Sequence, residues 1–354
     1  MLTFDVSMPL MLFFVTLVAL LLGKRVESKL KTTFEEREFR SRDAVLFVVL
    51  ITVAVSIVVF VPQMALIAVF LFSYSALLFT FSFLFSNLKR RRAQVFFLLV
   101  GLIGLAAGAV AFLKVYGVVT FYGGVAAFVL AACALVAILY EQFRKTEGRS
   151  RWYLGVFPPV LFLIVFFLFL YQPMGLLTLI VLDVSGVLFA VLITIYLSSL
   201  FTWKVTFIFA ALLTVMDFVL VLVTGFMVRA AEQVAGLGLP VLIVLPVIPP
   251  IAVTGGLFGL QALSLGLGDF FFAGTLATQT LKKYGWKTAL VSAEAMTLSF
   301  AVFEAWLLST DFGAFPGTVM IIVGWLPVVG WKVLLERKRK QPVPAQAAPQ
   351  APIV

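Results

Sequence analysis

From its first residues the chain alternates between long apolar runs and short charged links. Eleven apolar segments stand out, at roughly residues 7–23, 43–62, 64–87, 93–114, 116–140, 153–171, 174–199, 203–228, 257–281, 288–310 and 316–335. Most are about 20 residues long, enough for a helix to cross a hydrocarbon core of ~30 Å. The runs are continuously apolar, whereas the strands of a membrane barrel alternate polar and apolar positions. In lipid only helices and closed barrels satisfy the backbone, so the pattern predicts an all-α, polytopic bundle of transmembrane helices. The stretch Leu239–Gly256 is apolar too, but Pro240, Pro246, Pro249, Pro250, Gly255 and Gly256 break it. It is expected to be re-entrant or surface-lying, because non-helical backbone at that depth survives only under a cover of protein or water. The chain thus divides into N-terminal helices (1–92), scaffold helices (93–200), helices bearing the candidate chemistry (201–340) and a Pro/Ala/Gln tail (341–354) expected to be disordered.

The charged links add a direction to this picture. Seven Lys/Arg lie between Lys24 and Arg42, four in Lys89–Arg92, four between Arg144 and Arg151, then Lys204, then Lys282, Lys283 and Lys287, and five from Lys332 to Lys340. With eleven spans and an external N-terminus, all of these face the cytoplasm, which is the positive-inside pattern. Of the 26 basic residues only Lys114 and Arg229 fall elsewhere. The first run has an acidic flank at Asp5, and its basic residues come after it, so it reads as an anchor and not as a cleaved signal peptide. The net charge of +10 is therefore a topology signal near anionic headgroups and calls for no nucleic acid. Composition agrees: 63% of the 354 residues are hydrophobic and 12% charged, against about 25% charged in a soluble domain.

Histidine is absent and Cys133 is the single cysteine, which removes histidine triads, most metal chemistry and any intramolecular disulfide. Cys133 reads as a small buried hydrophobe. Gly104 with Gly108, and Gly255 with Gly259, have the spacing of helix-packing contacts. What remains for chemistry is a set of acids inside apolar runs: Asp183, Asp217, Asp269, Glu294 and Glu304. A charge at that depth costs at least ~2.5–3.5 kcal/mol on insertion scales, so each is a functional candidate. The bland alternative for each is a neutral carboxyl hydrogen-bonded between helices.

Depth singles out two of the acids. Asp217 comes 13 residues after Lys204, and Asp269 comes 13 residues before Lys282. At 1.5 Å per residue both lie roughly 20 Å from the same face, on antiparallel helices. Carboxyls that meet in this way share one proton. The ionised member can take a proton from water and the protonated member can polarise a carbonyl, which amounts to peptide hydrolysis without metal or cofactor. Asp269 stands in Leu265-Gly266-Leu267-Gly268-Asp269-Phe270. Glycines at 266 and 268 open the backbone to close approach, as an unwound substrate pairing like an added strand requires. Asp183, Glu294 and Glu304 lie in no comparable motif.

Gly266-Leu267-Gly268-Asp269 resembles the GxGD signature of the presenilin and signal peptide peptidase family of intramembrane aspartyl proteases. In that family a preceding helix bears Tyr-Asp, and a Pro-Ala-Leu motif opens the last helix. Here Met216-Asp217 stands 52 residues before Asp269, and Pro316-Gly317-Thr318 stands 47 residues after it. The resemblance covers about residues 150–354. It implies a nine-helix core with about two further N-terminal helices, a prokaryotic and archaeal-type homologue in the cell membrane, and a cytoplasmic C-terminus as in signal peptide peptidase. It also implies a catalytic pair Asp217 and Asp269, supported by Met216, Gly266, Leu267, Gly268, Pro316, Gly317 and Thr318. Substrates would be transmembrane peptides or signal-peptide remnants, with no cofactor.

Two other readings stay open. Prepilin and preflagellin peptidases share the GxGD aspartate, but in shorter chains or with several helices after it, and without the proline motif. A transporter or ion-coupled carrier would also place acids on broken helices, to bind protons or cations.

Overall fold

The computed structural model describes residues 4–33, 39–61, 89–113, 121–143, 176–236, 241–250, 261–310 and 314–340. These contain ten helices and one β-hairpin. The helices are α1 (Ser7–Thr33), α2 (Ser41–Phe60), α3 (Arg90–Phe112), α4 (Phe121–Phe143), α5 (Leu176–Leu200), α6 (Trp203–Phe218), α7 (Phe226–Gly236), α8 (Leu267–Tyr284), α9 (Trp286–Ser309) and α10 (Gly317–Lys340). The strands are β1 (Leu242–Pro246) and β2 (Ala262–Gly266). Five stretches are long and apolar enough to cross a membrane: Ser41–Phe60, Arg90–Val110, Trp203–Val223, Trp286–Ser309 and Gly317–Arg337. They mark a helical membrane protein. The apolar runs 64–87 and 153–171, the Gly255–Gly259 pair and the tail lie outside the described residues.

Helix α8 is the axis of the bundle. Every residue from Phe270 to Thr280 is buried, so this helix has no solvent or lipid face over three turns. Helices α1, α5, α6, α9 and α10 pack around it. Its polar side chains are spent on internal bonds. At the C-terminal end of α5, Gln279 Nε2 donates to the carbonyls of Ser198 (2.7 Å) and Phe201 (2.9 Å), and Lys282 Nζ donates to that of Ser198 as well (3.0 Å). Trp325 Nε1 of α10 donates to Thr280 Oγ1 at 2.9 Å. Close approach needs small residues: a Cβ on Gly274 would lie 2.5 Å from Thr194 Cγ2 of α5. Gly324 of α10 likewise lies against the Ala295 carbonyl of α9, with no room for a methyl. Helices α3 and α4 pack on each other around a small core of Ala93, Phe97 and Ala134. There a Cβ on Gly104 would sit 2.7 Å from the Ala127 carbonyl oxygen, which makes Gly104 the packing contact that its spacing predicts. Cys133 of α4 is exposed, contrary to the buried reading.

Three predicted elements differ from what forms. The broken stretch after 239 contains β1, which pairs antiparallel with β2, Leu242 opposite Gly266 and Pro246 opposite Ala262. The bundle is therefore not purely α. The helix predicted from 257 begins only at Leu267, because the preceding five residues are strand. The helix predicted over 203–228 stops at Phe218, widens into a π-helical turn over Val219–Val223, and restarts as α7 after Gly225, whose φ of +66° favours glycine. The N-terminus closes onto the hairpin. Asp5 accepts from the amides of Ser7 (3.0 Å) and Met8 (2.9 Å), capping α1, and from the amide of Ile248 (2.8 Å) just past β1.

Candidate active site

The first turn of α10 touches both aspartates through consecutive residues. Asp217, 8% exposed, closes the last turn of α6. Its Oδ2 accepts from Thr318 Oγ1 at 2.6 Å and from the Thr318 amide at 3.3 Å. That amide belongs to the opening turn of α10, where backbone donors have no partner within the helix, and a carboxylate suits it. Pro316 starts this turn: its carbonyl accepts from the amides of Val319 (3.2 Å) and Met320 (3.4 Å). A π-turn directly after Asp217 is the kind of irregularity that often accompanies functional positions.

Asp269 is the third residue of α8, after the N-cap Gly266. Its carboxyl lies between two glycines. A Cβ on Gly317 would fall 2.5 Å from Oδ1 and 2.7 Å from Cγ, and one on Gly266 would fall 3.5 Å from Oδ2. Consecutive residues of α10, Gly317 and Thr318, thus touch Asp269 and Asp217 in turn. Gly268 is exposed, with open space within 4 Å of where a Cβ would be. Of the two glycines read as admitting a second chain, Gly268 is open, and Gly266 has Asp269 at van der Waals distance from the place of a Cβ. Met216 is half-buried against the main core.

The hairpin leads into the site. Leu267 N donates to the Val241 carbonyl (3.0 Å) and Val247 N to the Gln261 carbonyl (2.9 Å). By antiparallel alternation, Ala262, Ser264 and Gly266 turn their amides and carbonyls away from β1. Ser264 is exposed, and no strand among the described residues pairs with that edge. The edge ends three residues before Asp269.

The other acids are dispersed. Asp183 of α5 accepts from the Val244 amide of β1 at 2.9 Å. Glu304 of α9 is buried, and its Oε2 has no hydrogen-bond partner among the described residues. Glu294 is exposed on α9. Thr318 is among the supporting residues that the resemblance implies, but its bond to Asp217 was not foreseen from the sequence. Its one signal was a hydroxyl where the resembling motif carries leucine. No protein-family model matches this chain, and no match is found among curated proteins.

Proposed function

We propose that this chain is an intramembrane aspartyl protease that hydrolyses peptide bonds within transmembrane segments or signal-peptide remnants. The observation that carries the reading is the double contact of α10: Gly317 against Asp269 and Thr318 bonded to Asp217. In this reading one proton is shared between the carboxyls. A water between them loses a proton to the ionised carboxylate as its oxygen attacks the scissile carbonyl carbon, while the protonated carboxyl donates to the carbonyl oxygen. Collapse of the tetrahedral intermediate breaks the C–N bond, and the amine leaves with a proton returned from the dyad. Asp217, with two donors from Thr318, is the better placed to carry the charge. The outward edge of β2 supports a strand-like substrate, whose backbone would pair with Ala262, Ser264 and Gly266 and then reach Asp269.

The proposal includes a multi-pass protein in a prokaryotic cell membrane, with an external N-terminus, a cytoplasmic tail and the nine-helix core that the resemblance implies. The test is incubation of purified protein with a synthetic transmembrane peptide in detergent, wild type against Asp269→Asn, with products identified by mass. Cleavage by the wild type alone supports the proposal. The carrier reading draws on the π-turn and helix break after Asp217, and it predicts no cleavage at any pH.

A further inference from the structure

We infer that Asp183 is a positioning residue that fixes the register of the β-hairpin, and through it the placement of the β2 edge beside Asp269; its consequence for cleavage rests on the protease reading above. Asp183, in mid-helix α5, has no hydrogen-bond partner from its own helix among the described residues. Its Oδ1 instead accepts from the amide of Val244, the central residue of β1, at 2.9 Å. Val244 is one of the β1 positions whose amide points away from β2, by the same alternation that leaves Ser264 pointing outward on the other strand. Asp183 therefore closes the outer edge of β1 with a charge-assisted bond. The β2 edge is left for an extended peptide.

One turn on, Gly186 sits on the same face of α5 as Asp183. A Cβ there would lie 3.3 Å from Ile243 Cγ1 and 3.5 Å from Leu267 Cδ2. The face of α5 thus receives β1 twice. Gly186 seats the fully buried Ile243, and Asp183 holds the next amide. Gly186 also seats Leu267, two residues before Asp269. A strand that slips by one residue exchanges its faces, which would expel Ile243 and present Val244 to Gly186. A one-residue slip would also break the bond from Asp183 to Val244 N, because it turns that amide away. The bond consequently sets which substrate residue lies opposite Asp269.

The experiment compares the full-length wild type with Asp183→Asn and Asp183→Leu. Asparagine keeps the Oδ1 acceptor, whereas leucine keeps the approximate volume without it. Two readouts are taken: hydrogen exchange of the peptides covering 241–250 and 261–267, and kcat, KM and product masses on a synthetic transmembrane peptide. For Asp183→Leu we expect faster exchange in both strands, a fall in kcat/KM of about tenfold or more, and products from several neighbouring bonds instead of one. Asp183→Asn should restore the exchange protection, the single product set and activity to within about threefold, as an acceptor role demands. Unchanged exchange in Asp183→Leu overturns the inference, and so does Asp183→Asn behaving like Asp183→Leu. If the wild type cleaves nothing, the protease reading falls, and the exchange comparison still decides whether Asp183 sets the hairpin register.

Discussion

Replacing Thr318 by valine tests whether the grip of α10 on Asp217 serves the chemistry. Valine has nearly the shape of threonine, so the buried packing at this position (4% exposed) is kept. What disappears is the 2.6 Å bond from Oγ1 to Asp217 Oδ2, leaving the longer 3.3 Å bond from the amide. A hydrogen bond to a charged group is worth about 1.5–3 kcal/mol net. At roughly 1.4 kcal/mol per tenfold, kcat/KM on a transmembrane peptide should fall about 10- to 150-fold. Thr318→Ser keeps the hydroxyl and should recover most of the loss. Thermal unfolding in the same detergent checks that both variants fold. Valine within twofold of wild type would refute the reasoning. Serine as impaired as valine would also refute it, since the lost methyl and not the lost bond would then be responsible.

Asp217→Asn and Asp269→Asn should each abolish cleavage while leaving the unfolding midpoint within a few degrees, because an amide keeps the local hydrogen bonds but cannot hold the shared proton; substantial residual cleavage in either, measured by product mass, defeats the paired-acid mechanism. Activity should follow a bell-shaped pH profile, since the dyad works with one proton and not with none or two; hydroxyl-bearing transition-state mimics should inhibit and chelators should not, and the reverse pattern would exclude this chemistry. Gly324→Ala should drive a methyl into the Ala295 carbonyl and lower stability by about 1–3 kcal/mol, read as a drop in unfolding midpoint; an unchanged midpoint would mean α9 and α10 part at little cost. A cysteine at position 345, in a background where exposed Cys133 is replaced by alanine, should resist impermeant reagents added outside intact cells; efficient labelling would reverse the proposed orientation.

The long apolar helices were legible because period and length are local properties of the chain. A common depth for Asp217 and Asp269 was legible as well, since equal offsets from Lys204 and Lys282 measure depth along straight helices, and the opening turn of α10 touches both. The hairpin was not legible. Leu242–Pro246 is a continuous apolar run with no alternation, and the alternation of Leu263 and Leu265 with small residues in Ala262–Gly266 is too short to separate it from helix. What makes them strands is mutual pairing over about twenty residues, together with the seat provided by Asp183 and Gly186 on α5. Because the strand was invisible, Asp183 could be read only as a functional candidate or a carboxyl hydrogen-bonded between helices, and its partner on β1 could not be named. The break after Asp217 escaped for a related reason: Val219–Val223 is five apolar residues that favour no helix type over another, and the positive φ falls on Gly225 two residues later. Thr318 illustrates a third limit, because a hydroxyl declares its partner only once two helices distant in sequence are docked.

The enclosed helix α8 has a consequence for biosynthesis. Among the described residues it is not one of the five stretches long and apolar enough to cross a membrane, and it carries Asp269, Gln279 and three threonines at positions 275, 278 and 280. A nascent segment of this kind leaves the translocon readily only when earlier helices already offer it polar company. Helices α1, α5 and α6 precede it and line it, whereas α9 and α10 are made afterwards. Asp217 then waits in the membrane without the donors of Thr318, and Asp269 without the abutment of Gly317, until α10 is inserted. Synthesis order thus withholds both contacts from every nascent chain that stops short of α10.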